Sequence, residues 1–386
     1  MPFFIILMLS VICMAGFYVG SRILSGIHLV FPNLPGYIFW TVFMLMVLMI
    51  PLSYMISETP AKRALSVYAG IAMGALLYSF LIAAVLDIIR LLLKLFRVYP
   101  AFMQTGRAAM IVCLAAALAV TGLVTYGTVH ARSLKLKSYD ITSSHFASIP
   151  SLKIAVASDF HLGSVIGKKR VRAAVDMINA QSPDLVILTG DIFDGNYSAV
   201  KNPGEIAAIF REINSVYGVY AVLGNHDAGK TYDEMVDFFP GAGVTLLQDE
   251  AVVADDKFVI VGRRDISPIG SASDEKRKTA AELIDDFINM DLPLGLPRIV
   301  IDHQPSAIDE AKQLGALLMV SGHTHKGQVF PGNLLTAAMY DNSYGCKKFD
   351  SMYSVVTSGA GTWGPPMRIA SDSEVVIINL AFAEDD

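Results

Sequence analysis

"VLGNHDAG", residues 222–229, places three polar residues directly behind a short aliphatic run. Asn225, His226 and Asp227 are poor strand formers, and a plain turn has no need of a histidine. By itself the stretch reads equally well as an Asx-type turn closing a buried strand. The surrounding sequence decides between the two readings.

From about residue 150 the chain alternates short apolar runs with amphipathic stretches. "LKIAVAS" (152–158), "DLVILTG" (184–190), "GVYAVLG" (218–224), "KFVIVG" (257–262), "RIVID" (298–302) and "ALLMVSG" (316–322) read as buried strands. Between several of them lie helical patterns: "KKRVRAAVDMINA", "PGEIAAIFREINS", "YDEMVDFF" and "RKTAAELIDDFINM". Such alternation predicts an α/β fold with much parallel pairing. Five of the six runs end in polar groups: Asp159 and His161; Asp191; Asn225, His226 and Asp227; His303; His323 and His325. Of the six histidines after residue 140, only His145 lies away from these ends. Ligands bind outside the carboxyl ends of strands in open α/β sheets. The sorting of histidines to those ends makes the turn at 225–227 part of a site.

Asp, Asn and His without cysteine form a borderline-to-hard donor set suited to Mn, Fe or Zn. There are too many donors for one tetrahedral ion and about the right number for two. Two cations sharing a carboxylate clamp the oxygens of a phosphoryl group and acidify a bridging water, which predicts a phosphoester substrate.

"DFH" (159–161), "GD" (190–191), "GNHD" (224–227), His303 in "DHQP" and "GHTH" (322–325) resemble, in order and spacing, the calcineurin-like metallophosphoesterase superfamily. The resemblance covers about residues 150–330. It implies a sandwich of two packed mixed sheets flanked by helices. It further implies that Asp159, His161, Asp191 and His325 hold one metal, with Asp191 bridging to a second completed by Asn225, His303 and His323. His226 would protonate the leaving oxygen and Asp227 would orient its ring. The tail "TSGAGTWGPPMRIASDSEVVIINL" (357–380) is similar to the closing strands of a bacterial, membrane-anchored branch. That branch includes phosphodiesterases and UDP-2,3-diacylglucosamine pyrophosphatases. Lys326 departs from the glycine common at that place in relatives and sets a cation beside the site, which reads either as a grip on a second phosphate or a carboxylate or as an outward-pointing surface lysine. Residues 333–350 also look unlike the usual run.

The first 130 residues differ in kind. They hold seven Lys or Arg against two acidic side chains, while the remaining 256 hold 23 against 33. Residues 3–21, 37–56, 67–86 and 108–128 are uncharged stretches of the length that crosses a hydrocarbon core, so four transmembrane helices are expected. A cleaved signal peptide is disfavoured because "MPFFIILM" has no basic n-region. Asp87 and Arg90, one turn apart, read as a paired interfacial anchor. Five cations fall on each side of the membrane, a balance that assigns no orientation to the C-terminal domain. The three cysteines suggest no disulfide framework.

The expected organisation is a transmembrane region at 1–130, a linker or edge strand at 131–150, and a metallophosphoesterase domain at 151–386. The expected function is hydrolysis of a phosphodiester or pyrophosphate of a lipid or lipid-linked nucleotide, at the cytoplasmic membrane, by a metal-bridging hydroxide. Monoesterase and nuclease activities of the same superfamily are the alternatives, with a metal-binding sensor as the non-enzymatic one. An acidic domain repels polyphosphate, so no nucleic-acid partner is expected. A transporter is disfavoured because the spans hold few buried polar pairs. The polar stretch 263–278 reads as a mobile loop.

Overall fold

A strand covered on both faces needs apolar side chains on both, and this is how the uninterrupted runs of the C-terminal region are used. The computed structural model describes residues 2–56, 59–143, 148–270, 276–293 and 295–382. Part of the expected linker (144–147, with His145) and of the 263–278 loop (271–275) lie outside the described residues. The chain divides into two units, one of Met1–Val129 with Gly364–Met367 and the other of His130–Trp363 with Arg368–Asp386.

The first unit is built on four helices, α1 (Pro2–Val30), α2 (Gly36–Met55), α3 (Pro60–Leu95) and α4 (Gly106–His130). All four are long and apolar enough to cross a membrane. Pro60 opens α3, where its missing N–H costs nothing, and the Thr59 side chain caps the helix by accepting from the Lys62 amide. With 36 residues α3 is about 54 Å long at the usual rise, well beyond the 67–86 expected from composition. The expected Asp87–Arg90 pair is corrected: Asp87 Oδ2 lies 2.6 Å from Arg22 Nη2 and accepts from the Tyr18 hydroxyl at 2.5 Å, both on α1. A carboxylate at a helix–helix contact reaches across to the neighbouring helix.

The second unit contains, in chain order, β1 (Leu134–Ser143), β2 (Ser151–Ala157), α5 (Lys168–Asn179), β3 (Leu185–Thr189), α6 (Pro203–Phe210), β4 (Val219–Val222), α7 (Tyr232–Gly241), β5 (Thr245–Leu246), β6 (Glu250–Ala254), β7 (Phe258–Gly262), α8 (Ala280–Asn289), β8 (Arg298–Ile301), α9 (Ile308–Gln313), β9 (Ala316–Ser321), α10 (Gly332–Met339), β10 (Gly345–Phe349), β11 (Met352–Val356) and β12 (Ser373–Phe382). Two six-stranded mixed sheets run in the orders β1-β12-β2-β3-β4-β5 and β10-β11-β9-β8-β7-β6. All six expected strands are present.

The alternation within β3 shows how the layers lock. Leu185 and Ile187 enter the core between the sheets with Ile154, Val156, Ile301, Leu318 and Val320. Val186 and Leu188 face outward onto α5–α7, among Val175, Ile206 and Phe239. A third cluster packs α8 and α9 on the second sheet through Leu283, Phe287, Val300 and Met319. Each such side chain contributes about 1.5–3 kcal/mol on burial. This double clamping fixes the register of β2, β3, β4, β8 and β9, whose carboxyl ends carry the polar groups.

Candidate metal centre

Each of those strands stops where its side chains change from apolar to polar. β2 delivers Asp159 and His161, with Phe160 between them buried against Phe210 as an anchor. β3 delivers Asp191, β4 delivers Asn225, His226 and Asp227, β8 delivers His303, and β9 delivers His323 and His325. The site therefore draws on both sheets. Asp159 (52°), His161 (49°), Asp191 (49°), His323 (69°) and His325 (49°) all have positive φ. Asp and His tolerate this region better than most residues, yet each instance costs of order 1–3 kcal/mol and persists only where packing over-determines it. Two glycines provide the space: a Cβ on Gly224 would overlap the Asp191 carboxylate, and one on Gly322 would overlap Ser158 and Asp159.

The donor atoms converge. His161 Nε2 lies 3.1 Å from His325 Nε2, which is 3.4 Å from Asp159 Oδ1. Asn225 Oδ1 is 2.8 Å from His323 Nδ1 and 3.1 Å from His303 Nε2. Asp191 Oδ2 stands between these groups, 3.6 Å from His161 Nε2 and 3.3 Å from His303 Nε2. Asp159–His161–His325 and Asp191–His303–His323 are each grouped closely enough to hold a metal ion.

The electrostatics fit such an ion. His303 donates through Nδ1–H to the Thr189 carbonyl at 2.7 Å, which leaves Nε2 as a donor pair for a metal. Burial, with the neighbouring His303, lowers His323 to about 3. Burial, with His161 and Arg368, holds His325 well below the usual range. Both rings are neutral, the ligating form. Burial opposes charge on His303, but the Asp191 carboxylate overcomes it and holds the ring well above the usual range, so a cation bound at Nε2 would take the place of a proton there. Buried donors that face one another across 3 Å, with two carboxylates and no cysteine, suit a divalent ion of the Mn, Fe or Zn kind.

Asp227 is not where the sequence reading put it. Its carboxylate accepts from the amides of Ile192 (3.1 Å), Phe193 (2.7 Å) and Gly224 (2.9 Å), tying the loop after β3 to the loop after β4. Burial and the charge of Asp191 push it up to about 7 against those three donors. The carboxylate beside His226 is Asp194, whose Oδ1 lies 3.7 Å from His226 Nδ1 and 3.4 Å from His161 Nδ1. His161, Asp194 and His226 form a third close group. Asp194 stands three residues beyond Asp191 in "GDIFD", a spacing that brings it round the same turn and was the available signal. His226 stays 17% exposed, its ring 5.0 Å from that of His161 and 5.8 Å from Trp363, and burial lowers its pKa.

Lys326 Nζ lies 4.1 Å from the centroid of the Tyr344 ring, so its charge is engaged by a π-face. Arg368, fully buried, was not singled out from sequence. It donates to the carbonyls of Ser358 (2.6 Å), Gly361 (2.7 Å) and His325 (3.1 Å), fastening the closing loop to a histidine of the first donor group. Arg277 grips Asp302, the residue before His303, at 2.6 Å.

A family model described as calcineurin-like phosphoesterase matches residues 152–327. An uncharacterized metallophosphoesterase of Aquifex aeolicus is 32% identical over 263 residues, covering 67% of this chain and 96% of the relative. One from Helicobacter pylori (strain J99) is 30% identical over 59% of this chain and 60% of its own length. A Danio rerio protein named transmembrane protein with metallophosphoesterase domain is 29% identical, over 72% of this chain and 63% of its own. The chain thus spans less than two thirds of the length of several of its relatives.

Proposed function

The chain belongs to the calcineurin-like metallophosphoesterases and is a metal-dependent phosphoester hydrolase, and we propose that it is a membrane-anchored phosphodiesterase or pyrophosphatase with two metal ions. Residues 1–130 form the membrane region of this proposal and 151–386 the catalytic domain, joined through 131–150. The observation that carries the metal assignment is Asp191 Oδ2, within 3.6 Å of His161 and 3.3 Å of His303 and so a bridge between the two donor groups. Asp159, His161, Asp191 and His325 would hold one ion; Asp191, Asn225, His303 and His323 would hold the other.

Bound divalent cations supply an acidified water and neutralise charge on the phosphoryl oxygens. The chain's own residues do the rest. His226, partly exposed beside the cluster, gives a proton to the leaving oxygen, with Asp194 at its other nitrogen. Asp227 keeps the turn carrying His226 in place through its three amide bonds.

The preference for a lipid or lipid-linked nucleotide rests on two features. Four apolar helices lie in the same chain. Within the catalytic unit, α10 buries none of its residues and exposes Leu334, Leu335 and Met339, while its C-cap Tyr340 stands 6.1 Å from the His323 ring. Placement in the diacylglucosamine pyrophosphatase-like branch rests on the tail 357–380, and placement in the cytoplasmic membrane on the bacterial character of that branch. The test is Mn²⁺-dependent hydrolysis of a chromogenic phosphodiester against the matching monoester. The detergent-purified protein should prefer the diester, and Asp191→Asn should lose more than the ~10²–10⁴-fold attributable to proton transfer. Preference for the monoester would overturn the diesterase assignment.

A further inference from the structure

The connection between α3 and α4 holds a cationic cavity remote in sequence from the metal centre. Arg90 and Lys94 stand one turn apart at the end of α3, Arg97 follows its C-cap Phe96, and Arg107 lies at the start of α4. Between Asp87 and Asp140 the sequence has no acidic residue and seven Lys or Arg. Asp87, the carboxylate expected to neutralise Arg90, is taken by Arg22 and Tyr18. Among the described residues no carboxylate lies within ion-pair distance of Arg90, Lys94 or Arg97. Like charges four apart on a helix repel, so the arrangement calls for a countercharge.

Arg90, Lys94, Arg97, Tyr99 and Gln104 line a cavity of about 400 Å³. The Arg90 guanidinium and the Lys94 ammonium both lie over the Tyr99 ring, 6.0 and 5.7 Å from its centroid. That ring is held by a hydrogen bond from its hydroxyl to the Met103 carbonyl at 3.1 Å. Around the cations the surface is aliphatic and aromatic: Leu91, Leu95, Phe96, Val98 and Phe102 are all more than 60% exposed.

We propose that this cavity binds the head group of an anionic phospholipid. Guanidinium forks match phosphate oxygens, and clustered cations at the end of a membrane helix attract anionic lipid. A site for free phosphate would present the same cations without the apolar border. Here that border offers the acyl chains a surface directly beside the charged group, which is the arrangement an amphiphile needs.

The experiment uses the full-length protein in detergent, titrated with dioleoylphosphatidylglycerol, dioleoylphosphatidylcholine or inorganic phosphate, with bound lipid counted by native mass spectrometry. Each cation near an anionic surface is worth about fivefold in affinity. Phosphatidylglycerol should be retained over phosphatidylcholine. The variant Arg90→Ala/Lys94→Ala/Arg97→Ala should bind it roughly a hundredfold more weakly by the same reckoning. Removing three exposed cations of the other unit (Lys169→Ala/Lys201→Ala/Lys230→Ala) should leave binding unchanged. The charge-conserving Arg90→Lys/Arg97→Lys should keep most of it and reports on a folded hairpin should the alanine variant fail to fold. Equal retention of the two lipids, an alanine variant that binds like the wild type, or displacement of the lipid by millimolar phosphate would each overturn the proposal.

Discussion

Leu118, near the middle of α4, is 73% exposed, whereas Leu188 in β3 is 1% exposed. In the N-terminal helices aliphatic side chains point outward, and polar contacts such as Arg22–Asp87 join neighbouring helices. In the C-terminal unit the aliphatic side chains close two sheets together, and a set of buried charged or ionisable groups, Asp159, His161, Asp191, Asp227, His303 and His325, stands at the strand ends. The same residue types go to opposite places, the arrangement that fits hydrocarbon around the first unit and water around the second. What the comparison teaches is where sensitivity should lie: to charge on the outside of one unit, and to loss of charge inside the other.

The largest effect should come from the inside of the catalytic unit. His226→Ala is expected to lower turnover by ~10²–10⁴-fold while metal content stays at the wild-type level. Loss of metal in that variant would make His226 a ligand. Next comes the outside of the membrane helices. Leu118→Asp should impede insertion of α4 by roughly 3 kcal/mol, measured in a glycosylation-reporter assay. Leu136→Asp, at a 41% exposed position of β1, should leave folding and activity intact. Similar tolerance at the two sites would erase the distinction between the units. A smaller effect, about 10–100-fold in turnover with both donor groups still loaded, is expected for Asp194→Asn, which acts through His226 and His161. Smallest of all, Arg172→Ala removes the exposed bidentate pair to Glu212 and should not shift the melting temperature measurably.

Sequence reading succeeded where burial on both faces left its mark. β2, β3, β4, β7, β8 and β9 are continuous apolar runs because sheet, opposite sheet and helices all press on them. It failed where an element buries little. β10 exposes Cys346, Lys347 and Lys348, α9 has only six residues, and α10 buries none, so neither periodicity nor hydrophobicity announces them. α6 ends at Phe210 although the helical pattern runs on to Ser215. In the site, the residues that converge were legible because Asp, Asn and His interrupt buried runs at the one place a sheet can present them. The partner of His226 was not, since adjacency in the chain suggested Asp227. The turn sends that carboxylate back to three amides instead, and it brings Asp194 of the preceding loop to the ring. Arg368 lies 43 residues from His325 and touches it only through the fold.

The most direct test of the central claim, that Asp191 joins two donor groups into one dinuclear centre, is the metal content of the purified protein. It would be measured by inductively coupled plasma mass spectrometry after loading with Mn²⁺ and gel filtration, for the wild type and Asp191→Asn. The account expects two ions per chain in the wild type and no more than one in the variant. A single ion in the wild type, or two retained without the Asp191 carboxylate, would contradict it.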